Sequence, residues 1–224
     1  MKVNLHTSHP SAFISSTFID LQDERASVAE RLQENGLNVN ALDVKPATNN
    51  TSKTEIIRGI RESDFVILII GDRFGSIVPK ITDSSSLSVT WWEYKKAIIF
   101  GKPIIACFQN REYFNTEYHD DRSDNTYTKK RRLFDRFKNM IIEKHNPAYF
   151  KDSYDLAEKI QDCLIPTYRA GVESMSRKNS ALTQTVSRLE AENKTLKQEL
   201  SNSKKIKETP FSGGMLGGLG GLSK

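Results

Sequence analysis

Three observations predict an α/β fold built on a parallel sheet. Phe65-Val-Ile-Leu-Ile-Ile70 is an unbroken apolar run rich in β-branched residues. Strands buried on both faces have this composition, and they occur mainly in parallel sheets. Strand-like runs alternate with segments of helical period over the first 165 or so residues. A glycine follows a predicted helix or strand at Gly36, Gly71 and Gly101. A β-α-β-α-β-α-β chain implies right-handed crossovers and helices on both faces of the sheet. A flavodoxin-like strand order, 2-1-3-4-5, is the natural arrangement, and it places ligands beyond the carboxyl ends of the strands.

The elements follow in order. Ala12 to Ser15 is a short strand that ends in Ser-Ser-Thr. Leu21, Val28, Ala29 and Leu32 recur at helical spacing until Gly36. Leu37 to Leu42 alternates and reads as a second strand, ending near Pro46. Thr51 to Glu62 carries Ile56, Ile57 and Ile60 on one helical face. The central strand runs into Gly-Asp-Arg-Phe-Gly-Ser and then a Ser/Thr/Pro loop up to about Leu87. Val89 to Phe100 is a helix, Ile104 to Phe108 a strand, and the polar stretch 109–128 a loop or insertion. Residues 129–146 form an amphipathic helix, Ala148 to Phe150 a short strand, and Ser153 to Ile165 a last helix that Pro166 ends.

A different grammar begins at Val172. Val172, Met175, Asn179, Leu182, Val186, Leu189, Asn193, Leu196 and Leu200 are spaced alternately by three and four. This is a heptad seam with Leu at d and Asn at two a positions, the pattern of a parallel two-stranded coiled coil. Glu192 at g faces Lys197 at the next e of a partner helix. The seam therefore predicts a homodimer, or a higher homo-oligomer, through residues 172–200. The tail from Thr209 holds six of the twelve glycines, with Phe211, Met215, Leu216, Leu219 and Leu222 among them. It reads as a flexible Gly/Leu-rich end, as a segment that docks on a protein partner, an activator or itself on assembly, or as one that touches a membrane. The expected organisation is an α/β domain over 1–168, a parallel coiled coil over 169–207 and the tail over 208–224.

Composition excludes several classes. The longest strongly apolar stretch is six residues, whereas a membrane-crossing helix needs about 20. The N-terminal residues lack the apolar core of a secretory signal. Two cysteines, both within apolar segments, exclude a disulfide scaffold and point to a reducing cytoplasm. No Cys/His spacing suggests a metal. The net charge is +5, and residues 129–146 alone hold seven Lys/Arg against two Asp/Glu. The rest of the chain is near neutral, so a nucleic acid is not the expected partner.

Three segments together resemble a known family. FISSTFIDLQDER (13–25), ILIIGDRFGS (67–76) and SVTWWEYKKAIIFGKPIIAC (88–107) match, in order, the three signatures of a TIR-like domain of unassigned activity. That family is similar to the wider group joining TIR domains and nucleoside deoxyribosyltransferases. The resemblance implies a TIR-like α/β fold and a nucleotide site that cleaves the N-glycosidic bond of NAD or a related nucleotide. The nucleotide would be substrate, and no cofactor is implied. For stand-alone bacterial members the implied setting is antiphage defence. A coiled coil and glycine-rich tail stand here where members often carry NTPase or repeat regions.

Breaking a ribosyl C–N bond passes through an oxocarbenium-like state that a carboxylate stabilises. The resemblance makes Glu93 that carboxylate, in the first turn of the helix after the third strand, where the helix dipole favours its ionised form. The competing reading is local. Thr90-Trp-Trp-Glu93 is itself a capping box, with Glu bonding back to the cap backbone. Ser15, Ser16 and Thr17 either cradle a phosphate with their backbone amides or simply cap the following helix. Phe18 stacks on a base or packs in the core. Asp72 and Arg73 lie just past the central strand, where Arg73 holds a phosphate or Glu93, or the two form a local surface pair. Asp23, Glu24 and Arg25 read as residues that orient the loop or form a contact surface. Trp91 and Trp92 cannot share one helix face, so one belongs in the core and the other to a pocket wall or a neighbouring subunit. Lys129 to Arg132 read as a solvated helix start, or, since positive charge there is unfavourable, as a site for an acidic or phosphate partner. The candidate set is thus Glu93 as catalytic residue, with Ser15, Ser16, Phe18, Asp72, Arg73 and Thr90 binding substrate. The rival functions are a non-enzymatic oligomerising module that binds a nucleotide or protein, and an effector that acts through its tail.

Overall fold

The strand Phe65–Ile70 (β3) is buried at every residue because it lies at the centre of a five-stranded sheet covered on both faces. The computed structural model describes residues 9–40, 52–110 and 126–207. Their elements are β1 (Ser11–Ser16), α1 (Gln22–Glu34), β2 (Asn38–Asn40), α2 (Ser52–Glu62), β3, α3 (Pro79–Thr82), α4 (Val89–Ile99), β4 (Ile104–Gln109), α5 (Tyr127–Lys144), β5 (Ala148–Phe150) and α6 (Ser153–Lys207). The strand order is β2-β1-β3-β4-β5 with every pair parallel, the flavodoxin-like order expected from the alternation. The predicted end of β2 at Leu42, the middle of the polar stretch 109–128 and the glycine-rich tail lie outside the described residues.

Strand alternation sorts the core into two faces. Ala12, Ile14, Phe65, Ile67 and Ile69 pack with Leu21, Val28 and Leu32 of α1 and with Leu156 and Ile160 of α6. On the other face, Leu68, Ile70, Ala106 and Phe108 pack with Phe74, Trp91, Tyr94 and the α5 residues Phe134, Phe137 and Ile141. Phe13 and Val66 join Ile56, Ile60 and Trp92 in a third cluster. Ser15 continues the alternation of Phe13 and therefore points at the face that α4 covers. Cys107 is buried in β4, and burial pushes its thiol up to about 12. It stays protonated and is no nucleophile.

Three expectations are corrected. Trp91 and Trp92 are both buried, in separate clusters: Trp91 stacks on Phe137 with ring centroids 5.2 Å apart, and Trp92 packs beside Phe13 and Val66. Neither walls a pocket, because α4 is sandwiched between α2 and α5 and both its flanks need apolar cover. The Ser/Thr/Pro loop contains a short helix, α3, opened by Pro79 at its first position, where the missing N–H costs nothing. The helix begun at Ser153 does not stop at Ile165; it continues through Pro166 to Lys207. Proline removes one backbone hydrogen bond, and the helix continues past it. Lys129 to Arg132 lie in the opening turns of α5, and one of them, Arg131, has an acidic partner within the fold, the Asp72 carboxylate at 3.3 Å. Two compact units divide between Glu173 and Ser174. Among the described residues no helix is long and apolar enough to cross a membrane.

Candidate active site

The strand order reverses between β1 and β3, and the crevice beyond their carboxyl ends is where open α/β sheets hold ligands. A cleft of about 640 Å³ opens there, within the range of small-molecule sites. Three chain segments line it: Ser16 to Asp20 after β1, Arg73 to Ser76 after β3, and Val89, Thr90 and Glu93 at the start of α4. These are parts of the three signature segments, brought together by the fold.

Glu93 forms the inner wall and is only 5% exposed. Its Oε2 accepts a hydrogen bond from Ser15 Oγ at 2.6 Å. Ser15 is fully buried behind it and does not line the cleft. The capping-box reading of Glu93 is overturned. The N-cap of α4 is Ser88, whose Oγ accepts from the Trp91 backbone N–H at 3.3 Å. The helix starts earlier than the box requires, so Glu93 lies in its second turn. There the dipole has little hold on it. Burial instead dominates, raising the Glu93 pKa to about 7, with the Ser15 hydrogen bond and the Arg25 charge pulling the other way. The carboxyl is thus divided between its two protonation states near neutral pH, the condition that suits proton transfer.

Arg25 takes up the loop-orienting role that its place on α1 predicts, and it also reaches the cleft. It is 8% exposed, lines the cleft, and its Nη1 donates to Ser16 Oγ at 2.7 Å. Ser16 Oγ in turn donates to the Thr17 carbonyl at 2.8 Å. The signal was present: Arg25 occupies a position on the α1 stripe Leu21, Val28, Leu32, and a charge on an apolar stripe is buried toward a partner. Arg73 lines the cleft and approaches Asp20, Nε to Oδ1, at 4.0 Å. Asp72 faces the other way, where Arg131 donates to its carbonyl at 2.9 Å. It is not part of the lining. Phe18 and Ile19 form an exposed apolar rim, 53% and 56% accessible. Thr17 is nearly buried, and its Oγ1 has no hydrogen-bond partner among the described residues.

Gly75 lets the second segment close on the first. Its φ is +85°, and a Cβ there would sit 2.9 Å from Thr17 Cγ2. Gly75→Ala is expected to cost about 1–3 kcal/mol through backbone strain and the displaced Thr17. A lower urea midpoint at unchanged slope would register it; an unchanged midpoint would show that the loop relaxes freely.

A family model described as a domain of unknown function (DUF4062) matches residues 11–165. No curated protein matches the chain. Among solved structures it is similar to the TIR domains of the activated Roq1 resistosome that directly recognizes the pathogen effector XopQ. That match has 12% identity over 69% of this chain and 99% of that one, with a TM-score of 0.42. It is also similar to the Clostridium botulinum CMP N-glycosidase BcmB, at 14% identity over 67% of this chain and 98% of that one, with a TM-score of 0.36.

Proposed function

The chain belongs to the DUF4062 family across residues 11–165, and from the chemistry of its cleft we propose that it hydrolyses the N-glycosidic bond of NAD or a related nucleotide. The observation that carries this reading is Glu93: a buried carboxyl on the wall of an open cleft, held by Ser15 and faced by Arg25, with its pKa raised to about 7. Burying a carboxyl costs stability, and groups perturbed in this way concentrate at functional sites.

In the proposed reaction the base sits against the apolar rim of Phe18 and Ile19, with the ribose beside Glu93. Ionised Glu93 stabilises positive charge as it develops on the sugar. The C1′–N bond breaks and both its electrons leave with the base. From NAD the departing nicotinamide is neutral and needs no proton. Water adds its oxygen to C1′, and its surplus proton passes to the Glu93 carboxylate and then to solvent. Arg25 and Ser16 orient the carboxylate, Arg73 meets the phosphate side, and Ser15 fixes the side-chain rotamer. Because the ionised form does this work, kcat/KM should rise with pH through about 7 and then level off.

The test uses the full chain with its C-terminal helix. NAD, NADP and a panel of nucleoside monophosphates are incubated with it, and the released base is quantified by chromatography. Base and free ribosyl product in equal amounts support the reading. Saturable binding of a nucleotide without release of base would replace it with a non-enzymatic nucleotide-binding module. Absence of both would sink it.

A further inference from the structure

The apolar residues left exposed on α6 beyond Tyr154 form one narrow stripe. Val172, Leu182, Val186, Leu189, Leu196 and Leu200 are each about half-exposed or more, and all occupy a or d positions of the heptad seam. The register also extends backwards. Ile165 falls at a and Tyr168 at d, one heptad before Val172, and they are 81% and 52% exposed. From 165 to 200, every exposed large hydrophobic among the described residues is therefore on the seam. Its period is 3.5, the spacing that a supercoiled partner helix demands; a helix that packs on a globular surface follows 3.6 and drifts off such a seam.

Ile165 and Tyr168 also line an apolar groove of about 490 Å³, together with Pro10, Leu37, Phe65 and Leu164. This groove lies at the amino ends of β1 and β3, opposite the Glu93 cleft. The first two seam positions, Ile165 and Tyr168, thus belong to the apolar surface of the α/β unit.

We propose that a second copy of this chain covers the stripe in parallel and in register from Ile165 to Leu200. Three features select a second copy over another protein. Asn179 and Asn193 occupy a positions, where each meets its own counterpart across a two-fold axis and the side-chain amides satisfy one another. An apolar partner would leave both amides unpaired. The d positions that follow are Leu182, Leu189 and Leu196, which favour two strands. Glu192 at g meets Lys197 at e of the partner only when the helices are parallel, and within its own helix Glu192 lies 3.8 Å from Arg188 on the solvent side. The contact between copies then begins at Ile165 and Tyr168, where the second copy covers the apolar groove that they line.

Sedimentation equilibrium of the full chain at micromolar concentration should give twice the 25.4 kDa chain mass. The double variant Leu182→Glu, Leu189→Glu should weaken the dimer by at least about 100-fold, because four buried leucines are lost per dimer. Its α/β unit should remain folded by circular dichroism. Direction is read separately: in a Cys163→Ser background, Leu189→Cys should oxidise to a linked dimer, while Ser187→Cys, on the outer face, should not. A monomeric wild-type chain would overturn the proposal. So would a dimer that survives the double variant, or one in which Leu189→Cys fails to link, which would mean an antiparallel or different interface.

Discussion

Glu93→Gln is expected to lower turnover of the preferred nucleotide by about 10²–10⁴-fold, the usual worth of a positioned acid–base carboxyl. The same variant should be more resistant to unfolding than the wild type at neutral and alkaline pH. Linkage gives the sign. The folded pKa is about 7 against an ordinary 4.5. The fold therefore favours the neutral carboxyl. That preference is intact below about pH 4.5, shrinks as pH rises through about 7, and is lost above it, where the carboxylate must be ionised in a buried place. Glutamine stays neutral at every pH and keeps an acceptor for Ser15. At about pH 8 the variant should gain at most about 3 kcal/mol over wild type, and at about pH 4 next to nothing. Thermal unfolding at the two pH values measures this independently of any substrate. A variant that loses stability at pH 8 would mean that the ionised form is the one the fold was built around. The functional reading would then lose its main support. Greater stability together with lower turnover would mark Glu93 as a residue kept at a cost to the fold.

The parallel sheet was legible because β3 is apolar at every position, and only a strand covered on both sides tolerates that. The strand order was legible because alternating strands and helices with right-handed crossovers leave few arrangements. Site residues were legible where strand alternation and loop position decide them: Ser16, Phe18, Arg73 and Thr90 line the cleft, and Ser15 stands behind Glu93. Three features were not. The choice between Ser88 and Thr90 as helix cap depends on which hydroxyl adopts extended backbone, and both residues suit the role equally by type. Asp72 and Arg73 are neighbours in sequence but diverge, because α5 arrives from some 60 residues away and Arg131 captures Asp72. Pro166 reads as a stop in sequence, yet α6 runs through it, since the long seam beyond it is helical in its own right.

Arg25→Gln and Ser15→Ala should both move the pH dependence of kcat/KM toward alkaline values, and Ser15→Ala should move it further. Both side chains favour ionised Glu93, and the Ser15 hydrogen bond is the stronger of the two influences. Removing either leaves burial less opposed and lifts the carboxyl further. At about pH 6 each variant should therefore be severely impaired, and at about pH 9, where the carboxylate is ionised regardless, much of the activity should return. A merely structural role predicts something else: a loss of the same proportion at every pH. Arg25 has a second duty that separates it from Ser15. Its Nη1 holds Ser16 Oγ on the cleft floor at 2.7 Å. Arg25→Gln should therefore also raise KM at all pH values, whereas Ser15→Ala, out of reach of the cleft, should leave KM alone. Arg25→Lys keeps the charge but loses the fork, so it should restore the pH profile without restoring KM. If the two variants gave identical profiles, Glu93 would be titrating in response to something other than these two neighbours.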